Sequence, residues 1–362
     1  MITNGGVWGY DGESGEELWR LEHPEGGDLA PCAASEGVNG AGVGALLYQT
    51  EDGPGDLPNC TVLAAVDTRR GEVTWSEDLT RTDDVAVGYN IEVPVTVGER
   101  AITVDLGGAH DLERFAVADG EELPEPQLPD GDCDWAWATW DIAVEHLVAR
   151  ARCRGESGSQ LAVFDAETGE QLWKRSAADS TLVDSLFVTD DPLTLSSSTR
   201  LTVYDDNGEV RSEIPLDAID ADVEIGSDEW RTAFETVAYH VTDSLVITRS
   251  SNDTPTEDIL RGFDAATGEE LWERDLPEER ALVGAVDEVP LVFYEAAENG
   301  AIYHHVARLN PEDGALVEEG LLPRDAEPSF MNTDQLTWDE RTMYVFRLSP
   351  QGTKVGLSAL RR

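Results

Sequence analysis

Apolar residues recur along this chain in short runs, each broken within a few positions by Asp, Asn, Gly or Thr. Residues 260–276 read LRGFDAATGEELWERDL. The pattern predicts a strand, a tight turn and a second strand that ends on a tryptophan. Asp264 can accept from backbone donors two residues on, and Gly268 can take a positive φ. The same frame stands at 7–19 (VWGYDGESGEELW), 63–75 (LAAVDTRRGEVTW) and 161–173 (LAVFDAETGEQLW). Its three markers keep one spacing: Asp11, Gly15, Trp19; Asp67, Gly71, Trp75; Asp165, Gly169, Trp173; Asp264, Gly268, Trp272. Weaker copies fill the gaps. Residues 112–124 keep Gly120 but carry Ala116 and Pro124 at the other two places. Residues 201–214 keep Asp205 and Gly208 with one residue deleted, and 306–318 carry Asn310, Gly314 and Glu318. The closing VGLSALRR predicts one more first strand.

The markers recur at a mean of about 50 residues, the size of a four-stranded propeller blade. Two further strands are predicted between successive hairpins, giving an order A, B, C, D with the hairpin as C–D. These include Val43–Thr50, Ile91–Val97 with Ala101–Leu106, Trp135–Ile142 with His146–Cys153, and Leu182–Val188 with Pro192–Leu195. The later pairs are Glu235–Val241 with Ser244–Arg249, Leu282–Val286 with Leu291–Glu295, and Gln335–Trp338 with Thr342–Leu348. Residues 217–230 fit no period well. The first copy supplies only C- and D-like strands, and the last segment supplies A, B and C. Both seven and eight blades fit that pattern.

The frame A-x-D-x-x-T-G-E-x-L-W, carried by Gly268, Glu269, Leu271, Trp272 and by Gly169, Glu170, Leu172, Trp173, resembles the pyrroloquinoline-quinone-like propeller repeat. The resemblance implies an all-β fold, a β-propeller of seven to eight four-stranded blades in a single domain over 1–362. The strands offered by the two ends place closure between residues 1–22 and 323–362, and with a start at Met1 and no export signal the N-terminus is expected to be truncated. The resemblance also implies that each repeat tryptophan docks on the neighbouring blade. Dehydrogenases of that family carry two adjacent cysteines against the quinone and a Glu–Asn–Asp calcium set. This sequence has no Cys-Cys, so no cofactor and no metal are expected. More narrowly, Cys32-Ala33-Ala34-Ser35 and Cys60 resemble propeller domains of exported, membrane-tethered actinobacterial proteins.

Charge narrows the partners. The chain has 74 acidic and 25 basic residues, a formal net charge of −49. A nucleic-acid partner needs a basic face and is excluded, and anionic membranes are disfavoured. Self-repulsion predicts a fold that salt stabilises. No apolar run is long enough to cross a bilayer as a helix. The four cysteines, Cys32, Cys60, Cys133 and Cys153, allow three pairings. The predicted strands favour Cys133–Cys153 and Cys32–Cys60, which would place the chain in an oxidising compartment; free buried thiols are the alternative. Nucleophile, zinc and phosphate-loop motifs are missing from the sequence. Asp130, Asp132 and Asp134 alternate as in a calcium loop but lack its glycine and distal glutamate. His304 and His305 should point to opposite faces of a strand, and Trp135 and Trp137 to one face. The expectation is a monomeric, non-catalytic extracytoplasmic binding or scaffold module for a protein or cell-envelope ligand, tethered through a segment outside this chain. The alternatives are a ligand-sensing domain of a membrane-anchored protein or kinase and, less favoured, a quinone-dependent dehydrogenase.

Overall fold

The computed structural model describes residues 2–3, 6–11, 14, 16–21, 30–35, 37–49, 60–79, 95–106, 112–129, 133–153, 158–197, 199–216, 239–251, 257–277, 282–286, 289–298, 301–321, 334–338, 342–348 and 355–361. These residues form β-strands joined by turns, and they fall into two compact units, Met1–Asp184 and Ser185–Arg362. Every sheet is an antiparallel meander, as expected where β-branched and aromatic runs are cut by short Asp/Gly turns.

The first unit holds four sheets. The first contains β1 (Ile2–Thr3), β2 (Gly6–Tyr10) and β3 (Glu17–Leu21). The second contains β4 (Ala30–Ala34), β5 (Val43–Gln49), β6 (Cys60–Asp67) and β7 (Glu72–Asp78). The third has β8 (Val95–Val97), β9 (Ala101–Asp105) and β10 (Leu112–Ala116). The fourth has β11 (Cys133–Ile142), β12 (His146–Cys153), β13 (Ser159–Asp165) and β14 (Gln171–Ala177). Apolar side chains of neighbouring sheets meet between them. Val7 packs with Leu46, Tyr48 and Val66; Leu47, Leu63 and Ala65 with Val95, Ile102 and Phe115; Leu112 with Trp140, Leu147 and Phe164.

The second unit repeats the plan. Its fifth sheet is β15 (Leu186–Thr189), β16 (Thr194–Ser196), β17 (Arg200–Tyr204) and β18 (Val210–Pro215). The sixth is β19 (Tyr239–Val241), β20 (Leu245–Ser251), β21 (Glu257–Asp264) and β22 (Glu270–Pro277). The seventh is β23 (Leu282–Val286), β24 (Val289–Glu298), β25 (Ala301–Leu309) and β26 (Leu316–Leu321). The eighth is β27 (Asp334–Trp338), β28 (Thr342–Leu348) and β29 (Val355–Arg361). Leu201, Val203 and Ile214 pack with Tyr239, Val241 and Phe263, and Ile247, Leu260 and Trp272 with Val292 and Leu309. The described residues thus make eight sheets, five of them four-stranded.

Three strand expectations need correction. The first copy adds β1 to its two hairpin strands. The strand expected from Leu182 begins at Leu186, because the N–H groups of Val183 and Asp184 turn back to the Ser180 carbonyl. The strand expected from Pro192 begins at Thr194, since Pro192 has no N–H to give a ladder. The irregular stretch 217–230 lies outside the described residues.

A bulge marks the hairpins of the repeat. In the first sheet Tyr10 opposes Glu17 but Gly9 opposes Trp19, so Leu18 is the extra residue. Leu172 and Leu271 are extra in the same way, and Leu18, Leu172 and Leu271 are 59%, 48% and 49% exposed. Two residues opposing one re-aims the next side chain. Leu18, Leu172 and Leu271 turn outward, and the indoles of Trp19 and Trp272 turn toward their docking carbonyls.

Candidate ligand-binding groove

The repeat turn is built the same way each time. Asp67 Oδ1 accepts from the N–H groups of Arg69 and Arg70, Asp264 Oδ1 from those of Ala266 and Thr267, and Asp205 Oδ1 from that of Asn207. Asp11 and Asp165 accept from the N–H three residues on, at Ser14 and Thr168. Asn310 Oδ1 accepts from the N–H two residues on, at Glu312. The glycines that follow, Gly71, Gly120, Gly169, Gly208, Gly268 and Gly314, have φ between 64° and 77°. Gly15 lies outside the described residues. These bonds shift the carboxylates. The N–H and hydroxyl of Thr267 hold Asp264 below its usual range. Burial pushes Asp165 up, but hydrogen bonds from Thr168 and Glu167 outweigh it and leave Asp165 lowered.

In the first, second, fifth and sixth sheets a donor on the outer strand clamps the next turn at one carbonyl, that of the residue after the marker. Trp19 Nε1 donates to Thr68 O at 2.6 Å, Trp75 Nε1 to Val117 O at 2.8 Å, and Trp272 Nε1 to Pro311 O at 2.8 Å. The indoles lie flat on the turn glycine; a Cβ on Gly314 would come within 2.5 Å of the Trp272 ring. Trp173 and Trp272 are buried, whereas Trp19 and Trp75 are only half-buried, less than the docking role alone suggested. Ser212 stands at the tryptophan place of the fifth sheet, and its hydroxyl donates to Ala265 O at 2.7 Å.

The third sheet departs from this plan. Pro124 replaces the tryptophan, and the outer strand is reduced to a single bridge between Phe115 and Glu122. The clamp comes from Arg114 on β10, which is 1% exposed. Its Nη2 donates to Ala166 O at 2.6 Å, the carbonyl after Asp165, and its Nη1 to Pro124 O at 2.9 Å. Burial pulls the guanidinium below its usual range, and the Asp165 and Glu167 carboxylates oppose that. Nothing in the local pattern signals this role for an arginine. The available signal was a repeat that had lost its tryptophan while keeping one cation in an apolar strand.

The turn after β10 keeps the backbone of the others. Gly120 N–H bonds Ala116 O at 2.9 Å, and Ala116 N–H bonds Glu121 O at 2.8 Å. The marker carboxylate is gone, because residue 116 is alanine. No side chain among the described residues caps the N–H groups of Ala118 and Asp119. A groove of about 520 Å³ opens there. Ala41, Ala116, Val117, Ala118 and Leu123 give it an apolar floor, and Glu99, Arg100 and Glu167 stand at its rim. The rim is fixed. Glu167 accepts from the N–H groups of Glu99, Arg100 and Ala101, Asn39 Nδ2 donates to Gly98 O at 3.1 Å, and Glu99 Oε1 accepts from Gly40 N–H at 2.7 Å.

The other candidates lie elsewhere. Cys133 and Cys153 are opposite each other across β11 and β12 and form a disulfide. Cys60 is also disulfide-bonded, and the side chain of Cys32 lies outside the described residues. Trp135 and Trp140 are buried in the core shared by the third and fourth sheets, while β11 bulges between Asp134 and Thr139. The Trp137 and His304 side chains and residues 130–132 lie outside the described residues; His305 is buried. Arg150 Nη2 and Asp141 Oδ2 form a buried ion pair at 2.6 Å. Burial raises Asp141, and Arg150 counters it.

The outer-strand tryptophan clamped to the next turn is the decisive feature. The chain has a β-propeller repeat and resembles the pyrroloquinoline-quinone-like propellers. Residues 157–332 match the family model described as outer membrane protein assembly factor BamB. Among solved structures the propeller is similar to the quinohemoprotein alcohol dehydrogenase ADHIIG of Pseudomonas putida HK5, at 14% identity over 96% of this chain and 68% of that one, TM-score 0.44. It is similar to the WD40 domain of SCAP from fission yeast, at 8% identity over 95% and 91%, TM-score 0.47. It is also similar to apo AztD from Citrobacter koseri, at 10% over 99% and 93%, TM-score 0.43. No curated protein matches the sequence.

The vicinal cysteine pair of the quinone-dependent dehydrogenases is missing from the sequence. Cys133 is bonded across a hairpin to Cys153, Cys60 is in a disulfide, and neither has a cysteine neighbour in sequence. No group of three or more metal-ligating side chains occurs among the described residues.

Proposed function

We propose that this propeller is a non-catalytic binding module of the cell envelope that takes a protein ligand. The observation that carries the reading is the third repeat. There the marker aspartate becomes Ala116 and the outer strand loses its tryptophan, and an apolar-floored groove with charged edges opens at that place. Departures from an otherwise consistent repeat are where function is expected. The match of 157–332 to a model described as an outer membrane protein assembly factor supports an envelope setting and a protein partner. The Cys133–Cys153 disulfide supports an oxidising compartment.

The rival reading, a quinone-dependent dehydrogenase, is tested by reconstitution. The purified protein is incubated with pyrroloquinoline quinone and calcium, and dye reduction is followed with alcohols and aldoses. The expected result is no turnover and no quinone retained through gel filtration. Stoichiometric retention with turnover would overturn the non-catalytic reading.

A further inference from the structure

Three properties of the groove in the first unit point to one kind of occupant. The first is a pair of backbone donors. In the second, fourth and sixth sheets a marker carboxylate accepts from turn N–H groups two and three residues on. In the third sheet the corresponding N–H groups are those of Ala118 and Asp119; residue 116 has no carboxylate to accept from them, and Ala116 and Ala118 both line the groove. An acceptor supplied from outside can take the place the carboxylate fills elsewhere. The second property is the floor of Ala41, Ala116, Val117, Ala118 and Leu123, which suits an aliphatic stem. The third is charge. Glu99 and Glu167 stand at the rim against the one cation Arg100, whose guanidinium is 4.0 Å from Glu167. Glu99 uses only Oε1 to hold Gly40 N–H. The whole chain carries −49. A carboxylate-bearing ligand would meet the turn donors but be repelled by the rim. A neutral peptide carbonyl beside a basic side chain satisfies all three properties.

We infer that the groove binds an extended peptide segment bearing a lysine or arginine. One peptide carbonyl accepts from the Ala118 and Asp119 N–H groups. The neighbouring basic side chain lays its methylenes on the Ala116–Ala118 and Leu123 floor and carries its head to the Glu99 carboxylate, as long cationic side chains do on apolar surfaces. Field complementarity between an acidic domain and a basic partner speeds and selects the encounter. The inference rests on the binding-module reading and names the chemistry of its partner.

The test uses capped pentapeptides that differ only at the central residue (lysine, arginine, norleucine or glutamate), titrated into the full chain while backbone amide resonances are followed. The expected result is saturable shifts centred on Ala118 and Asp119, strongest with lysine or arginine, weaker with norleucine and missing with glutamate. Ala116→Asp supplies the lost carboxylate in place and should weaken binding about tenfold, the effect of losing one well-made acceptor contact. Glu99→Gln keeps the bond to Gly40 and should weaken lysine binding but not norleucine binding. Glu209→Gln, an acidic change in the fifth sheet, should leave binding unchanged. Equal loss in Glu209→Gln and Glu99→Gln would show a diffuse electrostatic attraction and overturn the site. So would norleucine binding as well as lysine, full binding to Ala116→Asp, or no shift up to about 10 mM peptide, where even a weak contact is seen. None of these outcomes bears on quinone turnover, so failure here is distinct from failure of the non-catalytic reading.

Discussion

The third and fourth sheets lie in one compact unit, follow each other in sequence, and solve one problem in two ways. The fourth has four strands, a turn capped by Asp165 and a tryptophan, Trp173, on its bulged outer strand. The third has three strands, alanine at the marker position, and a proline where the tryptophan belongs. Both keep the positive-φ glycine, at Gly169 and Gly120. What the repeat preserves is therefore the backbone of the turn and a donor to the carbonyl that follows the next marker. The identity of the donor is free: indole from Trp75, guanidinium from Arg114, hydroxyl from Ser212. The price of that freedom in the third sheet is an open turn, and the open turn is where the groove lies.

The comparison is sharpened first at the indole. Trp75→Ala removes a half-buried ring and the donor to Val117, and should cost about 3 kcal/mol, the low end for buried aromatics. A loss within about 0.5 kcal/mol, typical of a surface site, would mean the clamp carries no stability. Ser212→Ala should be milder, about 1 kcal/mol in urea unfolding, because it leaves the Ala265 carbonyl without its donor. Ala116→Asp should act in the opposite direction and raise stability by up to about 1 kcal/mol, as other local side-chain caps do. Destabilisation by that variant would show that the third turn differs in backbone from the rest.

The smallest effect is one of pH. Asp165 is held below its ordinary range in the folded chain. Its contribution is therefore present above the unfolded-state value and lost as pH falls through the lower folded value. The stability gap between the native chain and Asp165→Ala should be constant near neutrality and shrink below about pH 4, where free aspartate protonates. Ala116→Asp should acquire the same acid-side dependence that the native third turn lacks. A gap that widens with acid would contradict the sign.

The hairpins were legible because everything that makes them is local. Asp264, Gly268 and Trp272 fall within one turn and its flanks, so their spacing reports the turn directly. The strands His146–Cys153, Leu282–Val286 and Thr342–Leu348 were legible for the same reason, as short apolar runs between turn residues. The groove was not legible. Its walls come from Ala41, Glu99, Val117 and Glu167, which only packing brings together. Arg114 was missed because an arginine in sequence reads as surface charge, while its acceptor, Ala166, is 52 residues away. The outward turn of Leu18, Leu172 and Leu271 was missed because strict alternation does not foresee a bulge.

The central claim is that Arg114 does for the third sheet what the Trp75 indole does for the second. Urea unfolding of Arg114→Met tests it most directly, since methionine keeps much of the stem and removes both donors. The account predicts a loss of about 2–3 kcal/mol from the Ala166 and Pro124 carbonyls left without a charged donor. It also predicts that Lys174→Met, on the exposed outer strand of the fourth sheet, changes little. A change in Arg114→Met no larger than that of Lys174→Met would contradict it.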